Sequence, residues 1–557
     1  MRQLRLVVAI GCLSLVAGLH GQSGPSQVAA PHYVVDEATI EPLARPAAGG
    51  NTILRVRFSP RERPPLRIPY ATEGGTVVLA DDGTGADARA GDGLYTALGS
   101  LDLVAFRDRL VRLSRSQTAM PLRTYRTRAK VATGTRLDPA QFVPGRQFQY
   151  EPWGDPAAIS QSRSLLVRHL NVVEDPTRTR AGCGQASMGV WSFGHLMEQM
   201  ANTPVTGVTA AQFTRQWLDT WMSSQVVNGW TVASRNLMQS ELLDGWIAAS
   251  GGPGQPLDLS IAPFKLLAIV NRLDLRSQGA YGGAGGGELR FVFLFVRDSD
   301  CSSPHTFQVI FEFGVPVSGC LGHKAWAQKW KSLDTLALGT PAYNAALEAI
   351  TQPVVLAGAG VGKANGSALN QLRVNENLLD DTGGGLDWQF RQFAIDPVSH
   401  LLTTSTLAQT PGRSINMATQ LAPYVNAHED AILEDDYLVP LSYPAGLKFR
   451  AGGLVYDSVM RWQAPAIANP EARHRFALNT CNGCHTKETG TEFRHIGRPG
   501  FGTIAPLSGF LTGISAPDPG TPDHYFNDLE RRALDLETLL GTSCFASPMD
   551  LPLFAAH

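Results

Sequence analysis

The spacing of apolar residues changes along the chain, and the changes divide it. From about His32 to Leu113 short alternating runs are separated by turns and punctuated by prolines at 60, 64, 65 and 69. Thr52–Phe58 and Thr76–Leu79 read as strands, Leu101–Val111 as one or two more, and about seven such runs predict an immunoglobulin-like β-sandwich over 32–113. Residues 114–160, rich in Arg, Thr, Gln and Pro, read as a linker. The region 161–465 mixes both periods and is expected to be α+β. Leu165–Val167 with Val172–Val173, Phe264–Asn271, Leu289–Val296 and Phe307–Phe313 read as strands. Val190–Met200, Ala210–Met222, Leu237–Ala248 and Lys324–Leu336 have helical spacing, with Trp217, Trp221, Trp230 and Trp246 as core residues on helices. Over 466–557 a helix at Pro470–Thr480 and an amphipathic segment at Tyr525–Leu540 predict a small, mainly α module. The expected chain is therefore multidomain: all-β, then α+β, then mainly α.

At the start, Arg2 and Arg5 precede an uncharged run from Leu6 to Leu19, and small residues follow at Ala17, Gly18 and Gly21. This is the layout of a signal peptide over 1–22, so the chain is expected to be exported to the periplasm or the cell exterior. The run is shorter than the roughly 17–25 residues of a membrane helix, and no later segment suggests one. Cys12 lies too early in the run for a lipoprotein signal. The 557 residues carry a formal net charge of −2, which excludes a polybasic nucleic-acid binder. With 56 Gly and 36 Pro, loops should be plentiful.

Of seven cysteines, Cys12 leaves with the signal. Cys301 and Cys320 flank a strand-like run and form the first candidate disulfide; Cys183 with Cys544 follows by elimination. Asp81, Asp82, Asp87 and Asp92 fall in an Asp/Gly-rich stretch from Leu79 to Thr96, where they could supply calcium ligands or cap a hairpin turn. With Asp81-Asp82-Gly83 and Gly91-Asp92-Gly93-Leu94-Tyr95, the stretch resembles the signature of exported β-domains of the choice-of-anchor X type, which implies an accessory, non-catalytic module.

Several motifs fail on inspection. Ala357–Ala364 resembles a phosphate-binding loop, but Ala357 stands where Gly is needed and Ala364 where a metal-binding hydroxyl is needed. Gly279–Gly287 sits between two strands and reads as a hairpin loop. His195 and Glu198 lie one helical turn apart without a further ligand, and the acidic run Glu429–Asp436 reads as a solvated face. No Gly-x-Ser-x-Gly elbow occurs.

Cys481-Asn482-Gly483-Cys484-His485 has the Cys-x-x-Cys-His spacing of c-type haem attachment. Two thiols one helical turn apart can add to the two vinyl groups of one haem, and the adjacent His can ligate its iron. A zinc site built from Cys481, Cys484, His495 and His485, or a Cys481–Cys484 disulfide, are the competing chemistries. The segment resembles c-type cytochromes, with Phe476 five residues before the first Cys. Leu478–Leu511 is also similar to a C-terminal segment of uncharacterised exported bacterial proteins. The cytochrome resemblance covers about the last 90 residues and implies thioether bonds at Cys481 and Cys484, with His485 as proximal ligand. The sixth ligand is then His495 or Met549, the latter placed after the amphipathic segment, against the usual order. The expected role is one-electron transfer through a single haem c, with a redox partner not identified by the sequence. The alternatives are an extracellular binding or structural protein stapled by zinc or a disulfide, and a haem-dependent oxidoreductase with its active site in the central region.

Overall fold

The computed structural model describes Leu6–Val7, most of 35–99 and most of 158–541. The remainder of 1–22, where a signal peptide is expected, Leu101–Val111, nearly all of the expected linker, and Cys183, Cys544 and Met549 lie outside the described residues. The chain divides into two compact units, one formed within residues 1–151 and the other essentially 152–557.

In the first unit the described strands are β1 (Leu6–Val7), β2 (Val35–Ala47), β3 (Gly50–Phe58), β4 (Arg67–Thr72), β5 (Gly75–Ala80) and β6 (Leu94–Gly99). They form one antiparallel sheet in the order β1-β2-β3-β6-β5-β4. The expected two-sheet sandwich is thus, among the described residues, a single sheet. The strands expected at 52–58 and 76–79 are both present, each two residues longer.

The second unit is built on an antiparallel meander. After β7 (Leu166–Val167) and the hairpin β8 (Gln225–Val227) and β9 (Trp230–Val232) come β10 (Phe264–Arg272), β11 (Glu288–Arg297), β12 (Asp300–Gly314), β13 (Leu369–Glu376), β14 (Gln389–Ile395) and β15 (Leu402–Ser405). Each of these last six pairs with the next, and β7 borders β10. Gly287 has φ +82°, and a Cβ there would stand 2.1 Å from the Arg272 carbonyl, so only glycine lets the β10–β11 hairpin close. Val172–Val173, expected to extend a strand, belong to the helical turn Leu170–Val173, and Trp230 lies on a strand rather than a helix.

The alternation of side chains gives this sheet two unlike faces. On one, the cross-strand row Phe291, Phe311, Leu372 and Phe393 is fully buried. It packs against helices α1 (Phe193–Ala201) and α2 (Ala210–Asp219). Phe193 stacks on Phe264 at 4.1 Å and meets Phe293 edge-on at 5.6 Å, while Trp217 meets Phe393 at 6.0 Å. Ser192 and Thr209 cap these helices, their side chains accepting from the backbone N–H groups of His195 and Gln212.

The other face is charged and equally buried. Arg290 stands opposite Glu312, and Glu312 opposite Gln371. Helix α3 (Pro470–Leu478), the turn α4 (Cys481–Cys484), the strands β17 (Ile514–Ala516) and β18 (His524–Phe526) and helix α5 (Asp528–Gly541) follow in the chain, after the short strand β16 (Leu454–Val455). This segment shares the apolar core of the sheet: Leu478, Cys484, Phe510, Phe526, Leu536 and Leu539 all belong to it.

Its anchor is a lattice of arginines and aspartates. Arg272 makes a two-bond fork on Asp274 at 3.0 Å, Arg531 bridges Asp274 (2.8 Å) and Asp528 (2.7 Å), Arg532 pairs with Asp528, and Arg276 forks onto Asp535. Burial alone would raise the Asp274 carboxyl; Arg272, Arg531 and Arg532 outweigh it and hold the group well below its usual value. Asp528 is lowered in the same way against its burial.

Replacing Asp274 by Ala strands buried guanidinium groups and is expected to cost about 3–5 kcal/mol of unfolding free energy, read by urea titration. A loss below about 1 kcal/mol, as for a surface pair, would refute the anchoring role. Carboxyls depressed on folding stabilise above their unfolded pKa and lose that contribution as pH falls. Thermal midpoints of the wild type should therefore drop on acidification through about pH 4, more steeply than those of an Asp274→Asn/Asp528→Asn variant.

Candidate functional site

Helix α3 starts at Asn469, whose side chain accepts from the backbone N–H groups of Glu471 and Ala472. It ends against α4 at Thr480. That hydroxyl donates to the Ala477 carbonyl (2.6 Å), and it accepts from the Gly483 N–H (3.0 Å) and the Trp462 indole (2.8 Å). A Cβ on Gly483 would fall 1.8 Å from the Ala477 carbonyl oxygen. The glycine inside the Cys-x-x-Cys is thus a packing requirement of the corner between α3 and α4. Cys481 and Cys484 are both free thiols, one helical turn apart. Cys484 is completely buried and Cys481 half-buried.

His485 closes the turn. Its Nδ1 lies 2.5 Å from the Phe493 carbonyl oxygen, a contact that requires the proton on Nδ1 and leaves the Nε2 lone pair for another partner. Phe493 reaches this position with φ +63°. Phe390 from the charged sheet face meets the His485 ring edge-on at 5.0 Å. Phe493 in turn stacks on Trp388 at 4.2 Å. Burial pushes the His485 imidazole down to about 4, so it is neutral at physiological pH.

His495 is brought beside this pair, with its ring centre 4.4 Å from that of His485. Its Nε2 stands 3.4 Å from the Cys484 sulfur and its Nδ1 3.0 Å from the Ser508 hydroxyl. Two imidazoles on opposite sides of one iron would have ring centres roughly 6 Å apart, given metal–nitrogen bonds of about 2 Å. As placed, His495 serves Cys484 and Ser508 rather than standing across from His485.

Burial raises both thiols, Cys484 well above its ordinary value with Asp528 and Cys481 adding to the effect, against Arg272 and Arg532. Raised, shielded thiols are poor exchange nucleophiles. A zinc site would bring the two sulfurs and a histidine nitrogen together. Among the described residues, the group whose ligand atoms approach within 4.8 Å is instead His474, Asp518 and His524. There the two imidazole planes are parallel and 3.7 Å apart. An imidazole binds a metal in its own plane, and parallel planes do not meet at one ion. Asp518 and Glu488 are engaged by Arg473 at 2.5 and 2.6 Å. The cluster is an ion-paired brace behind α3.

The other sequence candidates have partners within the fold where they are described. Asp81 accepts the Gly91 N–H at 2.8 Å and Asp82 pairs with Arg67 at 2.6 Å, as in a capped turn; Asp87 and Asp92 lie outside the described residues. Lys363 gives its ammonium to the Ala368 and Leu369 carbonyls and to Asn370, so it is not free for a phosphate. His195 faces Glu198 at 3.8 Å on one helix. Cys320 is disulfide-bonded, while the side chain of its expected partner Cys301 lies outside the described residues. No described helix is long and apolar enough to cross a membrane. Sequence reading missed Thr480, Gly483, Ser508 and the Arg272–Arg532 lattice. The Gly within the motif and the charge spacing of α5 were the available signals.

In a haem-free preparation both thiols should react with iodoacetamide far more slowly in the folded chain than in urea at pH 8. Equal rates would show that the site is open and its thiols unshielded. Neither a protein-family model, nor a curated protein, nor a solved structure matches this chain.

Proposed function

We propose that Cys481 and Cys484 hold one covalently attached c-type haem with His485 as its proximal ligand, and that the chain is an exported one-electron carrier. The observation that carries this reading is the combination at α4: two free thiols one turn apart and a neighbouring imidazole whose Nδ1 is committed to a carbonyl. A plain disulfide needs no such histidine tautomer, and a zinc site needs convergent ligands.

The surrounding charges fit the group as well. Three arginines (272, 531, 532) share two aspartates (274, 528) in the lattice, leaving one positive charge in surplus. Arg532 Nε and Arg531 Nη1 are buried without a hydrogen-bond partner. Arg272 and Arg532 also lie close enough to Cys484 and His495 to depress their proton affinity. A haem brings two carboxylates, and buried guanidinium N–H donors left without a hydrogen bond are what such carboxylates satisfy.

Bound there, haem iron supplies a reversible one-electron couple. The chain's own residues do the rest. The Phe493 carbonyl orients His485 and raises its basicity as a ligand, and Phe390, Phe493 and Trp388 exclude water from that imidazole. The signal segment at 1–22 would deliver the chain to the compartment where haem is attached to such motifs.

The test is a pyridine haemochrome spectrum of the full chain made in a host able to attach c-type haem. One covalent haem per chain, lost in the Cys481→Ala/Cys484→Ala variant, is the expected result. A haem-free wild type with stoichiometric zinc or a Cys481–Cys484 disulfide would overturn it.

A further inference from the structure

We propose that Arg391, with the Trp221 indole beside it, forms a binding site for a small monoatomic anion, chloride being its occupant. The site lies on the helix-covered face of the sheet and does not depend on what the Cys-x-x-Cys-His segment holds.

Arg391 is a cation on an aromatic surface. It stands on β14 two residues before Phe393, so the alternation of the strand turns both side chains to the same face. It is fully buried there. An arginine so enclosed is ordinarily paired with a carboxylate. The carboxylate near enough to favour its charge is Glu376, and that group is engaged by Arg235 at 3.3 Å and by the Leu379 N–H at 2.9 Å. Burial pushes the Arg391 guanidinium down to about 9, with Glu376 favouring its charge and Arg235 opposing it, so it is still a cation at neutral pH.

The hydrogen bonds of the guanidinium are incomplete. Nε donates to Gln389 Oε1 at 2.9 Å and Nη2 to the Ala233 carbonyl, both of them neutral acceptors. The guanidinium carbon lies 4.1 Å from the centre of the Trp221 ring, whose face offsets part of the cost of burial. Nη1 is buried and makes no hydrogen bond among the described residues, and the same is true of the indole Nε1 of Trp221. The cluster therefore presents two donors in want of an acceptor and a cation in want of a counter-charge. Water can accept from an N–H but leaves the charge uncompensated, whereas an anion answers both needs.

The shape of the site selects the anion. A carboxylate prefers the two parallel bonds of a guanidinium fork. With Nε and Nη2 already engaged, Arg391 offers chiefly the single corner at Nη1, and a sphere can accept from that corner and from an indole N–H in unrelated directions. Access suits a small ion as well. Ala233, whose carbonyl holds Nη2, is exposed, and Ser234 is half-buried. The guanidinium thus lies beneath the segment that leaves β9, and a single ion exchanges when that short cover moves aside. Chloride is the abundant monoatomic anion outside cells, where the segment at 1–22 would send this chain.

The experiment is a thermal-denaturation series on the full chain at constant ionic strength, with sodium chloride replacing sodium gluconate, whose anion is too large for the site. The wild-type midpoint is expected to rise along a saturable one-site curve, and bromide should replace chloride in producing it. Arg391→Met removes the charge while keeping an unbranched side chain and should abolish the response. Trp221→Phe keeps an aromatic face without the N–H and should raise the half-saturating chloride concentration about tenfold, the weight of one hydrogen bond to a charged acceptor. Wild-type midpoints that are equal in chloride and gluconate would overturn the assignment, and so would a chloride response of wild-type size in Arg391→Met. If Arg391→Met does not fold, Trp221→Phe decides: an unchanged half-saturation would place the ion elsewhere and overturn the assignment too.

Discussion

The second unit depends on one constraint: its sheet buries charge on the face that the Cys-x-x-Cys-His segment covers. A meander with one aromatic and one polar face would normally leave the polar face in water. Here Glu288, Arg290, Glu312 and Gln371 are all buried. Removing such groups from water is repaid only when each finds a partner in good geometry. Part of that repayment lies within the sheet, through Arg290 on Glu288 (2.6 Å) and Arg373 towards Glu312 (3.5 Å). The covering segment adds pairs of its own from more than 180 positions later, Ile496 accepting from Gln308 on this face at 3.0 Å and Arg531 meeting Asp274 in the turn after β10. The segment that carries the Cys-x-x-Cys-His motif is thus also the cover of the sheet, and its position is set by polar pairing that tolerates no slippage.

That coupling explains what the sequence could and could not disclose. Strand β11 was legible because phenylalanines recur at every second residue, β10 and β12 through their apolar runs, and helices α1 and α2 through the helical spacing of their apolar residues. The corner at Thr480–Gly483 was half legible: the motif was evident, the reason for its glycine was not. What escaped was the partnership of distant charges. Asp528, Arg531, Arg532 and Asp535 fall at the i, i+3, i+4, i+7 spacing of one helix face, which reads naturally as a solvated stripe. They are buried, at 0–7 % exposure, because Arg272-Leu273-Asp274-Leu275-Arg276 offers a complementary set some 250 residues earlier. Single-sequence patterning registers periodicity within a segment, and the sign match between two segments so far apart has no local signature.

The same limit applied to His495. From spacing alone it is a histidine ten residues past the motif, suited equally to iron, zinc or a carbonyl. Only the fold shows its two nitrogens divided between a buried sulfur and a serine hydroxyl. Phe493, two residues earlier, directs its carbonyl to His485, so one short stretch addresses both residues that end the motif: Cys484 through an imidazole and His485 through a carbonyl. A left-handed backbone at Phe493 makes this possible, bending the chain so that its carbonyl and the His495 ring both face α4. A positive φ on an aromatic residue is uncommon and costs of order 1–3 kcal/mol, and such strain persists where surrounding contacts over-determine it. Here those contacts are the Trp388 stack and the Phe390 ring.

The surplus positive charge of the lattice gives the site a direction. In a water-excluded interior, unbalanced arginines favour the state of a neighbouring group that carries more negative charge. For an iron centre that is the reduced state, so Arg272 and Arg532 would raise the potential, while carboxylates drawn to them would moderate the effect. Burial acts in the same sense, since the oxidised centre carries the extra charge that the interior penalises. With a haem bound as proposed, this environment would resist oxidation and so oppose the low potential that a strongly basic histidine ligand confers. Both influences would come from residues whose first role is to hold the cover on the sheet, and for that reason the folding of this unit and the potential of a haem held there could not be changed independently.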